Sequence, residues 1–343
     1  NRYWYRRMVE SRAVVSEQLR GIAQVLKNFA GEFGEGLAQM AAIEAELWEA
    51  VNTGRLRVDR LQVSLRDEGK IEVVVFTKAC SGNLYCQRVV APLVSGIARQ
   101  AYSVAYTACP LQEGEEECWF ILYPVLRYRL VVGAASAGKE GGVSGDTYSC
   151  IQIPGGRYAL ILSDGMGTGA EAAAESATTV SLLELLLKAG FSEELAVKTV
   201  NSLLLLHSPG ETFATVDMAL VDLYTGKLQW VKIGAAPGFI YRRDGTAEII
   251  RTPSLPVGIV NPIEVVVVER ELTAGDTLLL VTDGLLEAYR GEEGEWFVDC
   301  LREAADGEPE KIGTFLLNRA HLAAGGPLPD DATVVVARVV EIG

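Results

Sequence analysis

Two stretches of this sequence end an apolar run in an aspartate followed by glycine: "LILSDG", with Asp164 and Gly165, and "LLLVTDG", with Asp283 and Gly284. Two further sites carry aspartate where a strand should begin, Asp146 in "VSGDTYS" and the tandem Asp330-Asp331 in "PDDATVVVARVV". One carboxylate at a strand terminus is ordinarily a turn or cap residue. Four such termini make a set of oxygen donors, and all-oxygen donors favour Mg2+ or Mn2+. Glycine after the aspartate removes the Cβ and lets a backbone carbonyl approach a cation. Two such ions about 3.5–4 Å apart activate water against a phosphoryl group with no need of a side-chain nucleophile. Other hydrolytic chemistry finds little support. The two histidines, His207 and His321, lie near no Ser or Cys motif, and "GGVSGD" fails the G-x-S-x-G pattern because Asp146 takes its last place.

The glycines after Asp164 also admit a nucleotide reading, since Gly165, Gly167 and Ala170 satisfy G-x-G-x-x-G/A behind an apolar strand. That unit needs a second parallel strand after its helix, whereas "GFSEELAVKTVNSLLLLH" reads as another helix. Asp164 would moreover set a carboxylate where the pyrophosphate approaches. The metal reading is the stronger.

Positioning these carboxylates is the task of a hairpin. "SGDTYSCIQI" and "RYALILSDG" flank Pro154-Gly155-Gly156, a three-residue loop. Pairing Ile153 with Arg157 and counting outward sets Asp146 opposite Asp164, and two facing carboxylates destabilise a sheet unless a positive charge lies between them. No Lys or Arg stands in register to supply it. Further on, "TFATVDMALVDLYTGKLQWVKIG" reads as a β-meander, and Asp244-Gly245 as a hairpin turn.

Upstream the texture differs. From about Arg6 to Val51 the pattern is helical, with Val15, Leu19, Ile22, Leu26, Phe29 and Phe33 on a heptad seam that Leu37, Met40 and Leu47 extend; Gly31, Gly34 and Gly36 weaken it. This helix could lie on its own domain or carry a dimer contact or signal, and the sequence leaves both open. "LRVDRLQVSLRD" and "KIEVVVFTKAC" then read as strands, followed by a helix near Arg88 to Ala101 and strands through Tyr128. Three parts are expected: a regulatory or dimerising helix over 1–52, a small α+β unit over 53–126, and the carboxylate-bearing domain over 127–343. The small unit holds Cys80, Cys86, Cys109 and Cys118; zinc would favour tighter C-x2-C spacing, so buried thiols are expected ahead of metal or disulfide.

Among the 343 residues, 31 Lys and Arg face 45 Asp and Glu, a net charge of −14 that repels phosphate backbones and anionic membranes. Nucleic acid and membrane are therefore poor partners. No apolar run approaches the roughly 18–20 residues of a membrane span. The sequence begins at Asn1 without a signal-peptide layout, so it is expected to be a cytoplasmic piece of a longer chain, one that could be tethered at the cytoplasmic face of a membrane.

Taken in order, "VSGDTYS", "SDGMGTGAEA", "TDGLLEA" and "DDATVVVARV" resemble the motifs of the metal-dependent protein phosphatases of the PPM (type 2C) family, and within it the bacterial regulatory phosphatases. The resemblance covers about Arg127 to the end. It reaches upstream through "CSGNLYC" and "CPLQEGEEEC", similar to a cysteine-bearing segment before such a domain. It implies an α+β fold: a PPM-type β-sandwich of two antiparallel sheets flanked by helices, here preceded by the small α+β unit and the N-terminal helix. By motif, Asp146 and Asp164 are the catalytic carboxylates and hold two Mn2+ or Mg2+ ions with the Gly165 carbonyl, Asp283 and Asp331, Asp330 being the alternative within the tandem. An Arg that holds phosphate in eukaryotic members has no clear counterpart, Lys139 being a weak candidate. The resemblance implies serine phosphoprotein phosphatase activity, with a phosphorylated anti-sigma factor antagonist as substrate and a sporulation sigma factor activated in consequence. It further implies that helices over about 169–188 and 192–207 act as a switch and a homodimer surface. A non-catalytic interaction module of the same fold, or a phosphohydrolase of small phosphate esters, are the alternatives.

Overall fold

The computed structural model describes residues 37–65, 70–80, 82–109, 117–139, 142–165, 167, 169–207, 213–259, 263–288 and 295–342. The heptad seam from Val15 to Phe33 lies outside them. The chain divides into two compact units, one within residues 26–127 with 223–225, the other comprising 128–222 and 226–342.

In the first unit, helix α1 (37–52) precedes strands β1 (Arg60–Leu65) and β2 (Ile71–Lys78). A π-helical turn (Cys86–Val90) leads into α2 (Ala91–Ala98), and β3 (Tyr102–Ala108) and β4 (Glu117–Pro124) complete an antiparallel sheet in the order β1-β2-β4-β3. Pro92 suits the start of α2, and Arg99 in the left-handed region ends it. Alternate strand residues face one core: Leu61, Val63, Val73, Val75, Phe120 and Leu122 pack with Ile43, Leu47 and Ala50 of α1. The described part of the N-terminal helix is therefore an integral layer of this unit. Its packing stripe runs through Ile43, Leu47 and Ala50, while Leu37 on the expected seam is exposed.

The second unit contains two five-stranded antiparallel sheets. One orders β12 (Val267–Glu271), β9 (Lys227–Ile233), β8 (Val216–Asp222), β7 (Arg157–Asp164) and β6 (Asp146–Ile153). The other orders β11 (Ala247–Ile250), β10 (Gly238–Tyr241), β13 (Thr277–Val281), β14 (Ala332–Glu341) and β5 (Tyr128–Ala137). Helices α3 (Ala170–Lys188) and α4 (Glu193–His207) cover the first sheet, burying Val180, Leu183, Leu187, Val197 and Val200 against Ala159, Ile161, Met218 and Val231. The second sheet is covered by α5 (Asp283–Glu287), α6 (Glu295–Ala304) and α7 (Pro309–Ala324), with Phe297, Leu301, Ile312 and Leu316 on Leu279, Val281, Val334 and Val336.

Residues 159–163 of β7 and 277–281 of β13 are buried without alternation. Such runs occur where both faces of a strand are covered, here by helices outside and the opposing sheet inside. The result is a helix-flanked β-sandwich, as expected. Each fully buried Leu, Ile or Val contributes about 1.5–3 kcal/mol. The central strands thus hold rigid the ends at which the aspartates sit.

Candidate metal centre

The β6–β7 hairpin forms in the expected register, with Ile153 opposite Arg157 and Asp146 opposite Asp164. Its loop glycines, Gly155 and Gly156, adopt φ of +79° and +70°. At the same end of the sandwich β13 gives way to α5 at Asp283, and the tandem Asp330-Asp331 leads into β14.

Threonines and backbone groups orient these acids. Thr282 Oγ1 donates to Asp146 Oδ2 at 2.9 Å and accepts the Thr333 N–H at 2.8 Å, so one hydroxyl links β13, β14 and β6. The Asp164 N–H donates to Thr215 Oγ1 at 2.8 Å, and its carbonyl accepts the Thr215 N–H at 2.9 Å. Asp146 Oδ1 is buried with no hydrogen-bond partner. An unsatisfied buried carboxylate oxygen is costly, and a cation is the partner that would satisfy it.

The local field is negative. Burial pushes the Asp164 carboxyl up to about 8, reinforced by Asp146, Asp283 and Asp330. Asp146 is pushed up to about 6, chiefly by burial and then by Asp331 and Asp283, against the lowering effect of the nearby Thr333 and Thr282 hydroxyls. Asp283, at the exposed rim, is raised by partial desolvation and by Asp330. Glu287 is raised by desolvation and then by Asp283 and Asp330. Crowding of this kind favours the protonated forms of Asp146 and Asp164, and a bound cation would relieve it.

The tandem divides its labour in a way the motif alone left open. Asp331 is buried, and both its oxygens accept backbone N–H groups at 2.6 Å, Oδ1 from Lys139 and Oδ2 from Gly145. It fastens the turn before β6. Asp330, half-buried, accepts the Asp331 N–H at 2.9 Å, and its charge acts on Asp164 and Asp283. Lys139 joins this network by its backbone N–H, while its side chain is exposed.

Two glycines are required by close packing. A Cβ on Gly165 would lie 2.0 Å from the Ala172 carbonyl oxygen, and one on Gly284 2.2 Å from that of Asp331. Helix α3 is also tied to the strand end, Ser176 Oγ donating to the Gly145 carbonyl at 2.6 Å. Beneath the acids lies a small cavity whose lining includes Asp164, Thr215, Asp217 and Asp283. Asp217 forms a fully buried ion pair with Lys232 at 2.5 Å and accepts Trp230 Nε1–H at 2.6 Å. Sequence reading passed over this pair, although a charge at an inward position of two neighbouring apolar strands was the available signal. It likewise passed over Thr215, Thr282 and Ser176, whose hydroxyls act only through tertiary contacts.

Among the described residues no three His, Cys, Asp or Glu side chains already converge into a metal cage. The donor set nevertheless fits hard divalent cations: oxygen ligands, one orphaned, mutually repelling and held on rigid strand ends.

The fold is that of the PP2C-type protein phosphatases. A solved structure of the PP2C phosphatase domain and a fragment of the regulatory domain of SpoIIE from Bacillus subtilis aligns with a TM-score of 0.75 and 30% identity, covering 97% of this chain and 96% of that one. Family models match as stage II sporulation protein E (SpoIIE) over residues 154–340 and as SpoIIE, regulatory domain, over 1–122, and the chain belongs to the SpoIIE family. It is 32% identical to stage II sporulation protein E of Priestia megaterium over 342 residues, covering 99% of this chain and 58% of that protein. Identity to the Bacillus subtilis (strain 168) protein is also 32%, over 338 residues, 97% of this chain and 40% of the relative. The chain thus spans about half the length of these relatives. A further relative, the phosphoserine phosphatase RsbP of Bacillus subtilis, is 26% identical over 149 residues, 42% of this chain and 37% of its own.

Proposed function

We propose that this chain is a metal-dependent serine phosphoprotein phosphatase. The observation that carries this reading is the facing pair Asp146 and Asp164, with one carboxylate oxygen left orphaned between strand ends that also bring Asp283 and Asp330 close. Asp146, Asp164, Asp283 and Asp330, with the Gly165 carbonyl, are the ligands for two Mn2+ or Mg2+ ions. Asp331, read from its motif as a ligand, is better placed to hold the turn at Lys139 and Gly145. When bound, such ions make a water nucleophilic at neutral pH and polarise a phosphoryl oxygen. The chain's own part is to keep its carboxylates rigid and oriented through Thr282 and Thr215, so that little reorganisation accompanies reaction.

The substrate proposed is a phosphoserine on an anti-sigma factor antagonist, whose dephosphorylation activates a sporulation sigma factor. Membership of the SpoIIE family and likeness to a phosphoserine phosphatase support it. Helices α3 and α4 are proposed as switch and homodimer surface, since α3 starts directly behind the Gly165 turn and packs against its backbone. No described helix is long and apolar enough to cross a membrane. We place the activity in the cytoplasm, with the full-length chain open to attachment at the membrane's cytoplasmic face.

The test is phosphate release from a phosphoserine protein with and without Mn2+, alongside Asp164→Asn. Metal-dependent release that the mutant loses supports the reading. A folded wild-type chain with no release at any metal concentration overturns it in favour of an interaction module, and preference for small phosphate esters over phosphoprotein overturns the substrate class.

A further inference from the structure

The first unit holds four cysteines that the phosphatase reading leaves unused. Cys80 follows β2 and Cys86 opens the π-helical turn; Cys109 follows β3 and Cys118 lies in β4, where the pairing of Ala108 with Trp119 brings the two together. All four line one cavity of about 80 Å³, whose lining also includes Lys78 and Phe120. Two pairs distant in sequence, C-x5-C and C-x8-C, thus meet in space. The four are free thiols of graded exposure, Cys118 buried, Cys80 and Cys86 half-buried and Cys109 exposed, so the expectation of buried thiols holds for Cys118 alone.

The described residues between the first two turn tightly. Gly82 (φ +82°) and Leu84 (φ +53°) both take left-handed backbone, a conformation unfavourable for a residue such as Leu84 that carries a Cβ. The Asn83 N–H donates to the Cys80 carbonyl at 3.1 Å, and the Tyr85 backbone N–H, against partial burial, holds the Cys80 thiol below its ordinary value. A lowered thiol favours thiolate, the form that ligates metal. Opposite it, Cys118 is pushed up to about 11 by burial and then by Cys109, with Cys86 and Cys80 adding to the effect. Thiols so placed repel one another when ionised, and a cation among them removes that penalty.

We propose that Cys80, Cys86, Cys109 and Cys118 form a tetrathiolate site for a single zinc ion, tying the loop after β2 to the β3–β4 hairpin. Four soft thiolates select zinc over the hard ions that suit the aspartate site, and structural zinc is commonly held by four cysteines in a tetrahedron. Each thiol yields its proton on ligation. Since no three such side chains yet stand at ligating distance, the thiols close on the metal by rotation about χ1 and adjustment of the glycine-bearing loop.

The test uses the 343-residue chain purified under reducing conditions without chelator. Elemental mass spectrometry is expected to find one zinc per chain, retained in Asp164→Asn and lost in Cys109→Ser/Cys118→Ser. Cobalt(II) added to metal-stripped chain is expected to give thiolate-to-cobalt charge-transfer absorption that zinc displaces. The variant Cys86→His, a conservative ligand exchange, should keep the metal with an altered cobalt spectrum, which guards against loss through misfolding. Four thiols that stay freely reactive in the presence of zinc would overturn the proposal. So would disulfides found by mass, or iron with sulfide in place of zinc.

Discussion

Asp164 concentrates the conflict at the centre of the site. In the folded, cation-free chain burial and the neighbouring carboxylates push its carboxyl up to about 8 and that of Asp146 up to about 6, against 3.8 for an unperturbed aspartate. Between those limits the folded chain holds protons that the unfolded chain has released, so the stability these groups contribute falls as pH rises through the window. The melting temperature of cation-free chain should therefore decline from about pH 5 to about pH 8, and Mn2+ should restore it at the upper end. A scan of Tm against pH checks this; Asp164→Asn should flatten the slope. The tandem aspartates separate by a second pair of measurements. Asp330→Ala should remove metal-dependent phosphate release with stability near that of the parent chain. Asp331→Ala should cost about 1–3 kcal/mol in denaturant unfolding, because it strips the partners from the N–H groups of Lys139 and Gly145.

At the scale of elements, α3 meets the strand ends of the site both by backbone contact at Gly165 and through Ser176 Oγ. The Gly165 backbone lies so close to Ala172 that a methyl group would sit 2.0 Å from a carbonyl oxygen. Gly165→Ala should therefore displace α3 from the strand end and abolish metal-dependent turnover while leaving the strand content seen by circular dichroism unchanged. Within the sheet, Lys232 and Asp217 are each almost completely buried and satisfy one another. Removing one charge strands the other, so Lys232→Met should destabilise by about 3–5 kcal/mol, measured by chemical denaturation.

For the whole molecule, the unit built on β1–β4 depends on α1, whose Leu47 is 1% exposed within its core. Leu47→Ala should lower stability by about 2–5 kcal/mol in denaturant unfolding. Removal of everything before Thr53 would strip the same layer from that sheet. The family model for the regulatory domain runs over residues 1–122, spanning helix and sheet together.

What the sequence by itself determined is local: glycine after aspartate, the three-residue hairpin loop and the apolar runs, and from these the register that sets Asp146 opposite Asp164. Period-2 pairing propagates from a turn, so one hairpin loop is enough to place both its ends. Only the tertiary structure decided the rest. That Asp331 rather than Asp330 accepts the N–H groups of Lys139 and Gly145, more than 180 positions away, is a tertiary contact, and the proposed choice of Asp330 as ligand rests on it. The gathering of four cysteines depends on a loop lying over a hairpin, and the buried Lys232–Asp217 pair on two strands sharing one inward face. No sequence periodicity encodes such contacts, because they arise from packing between elements rather than from the conformation of any one of them.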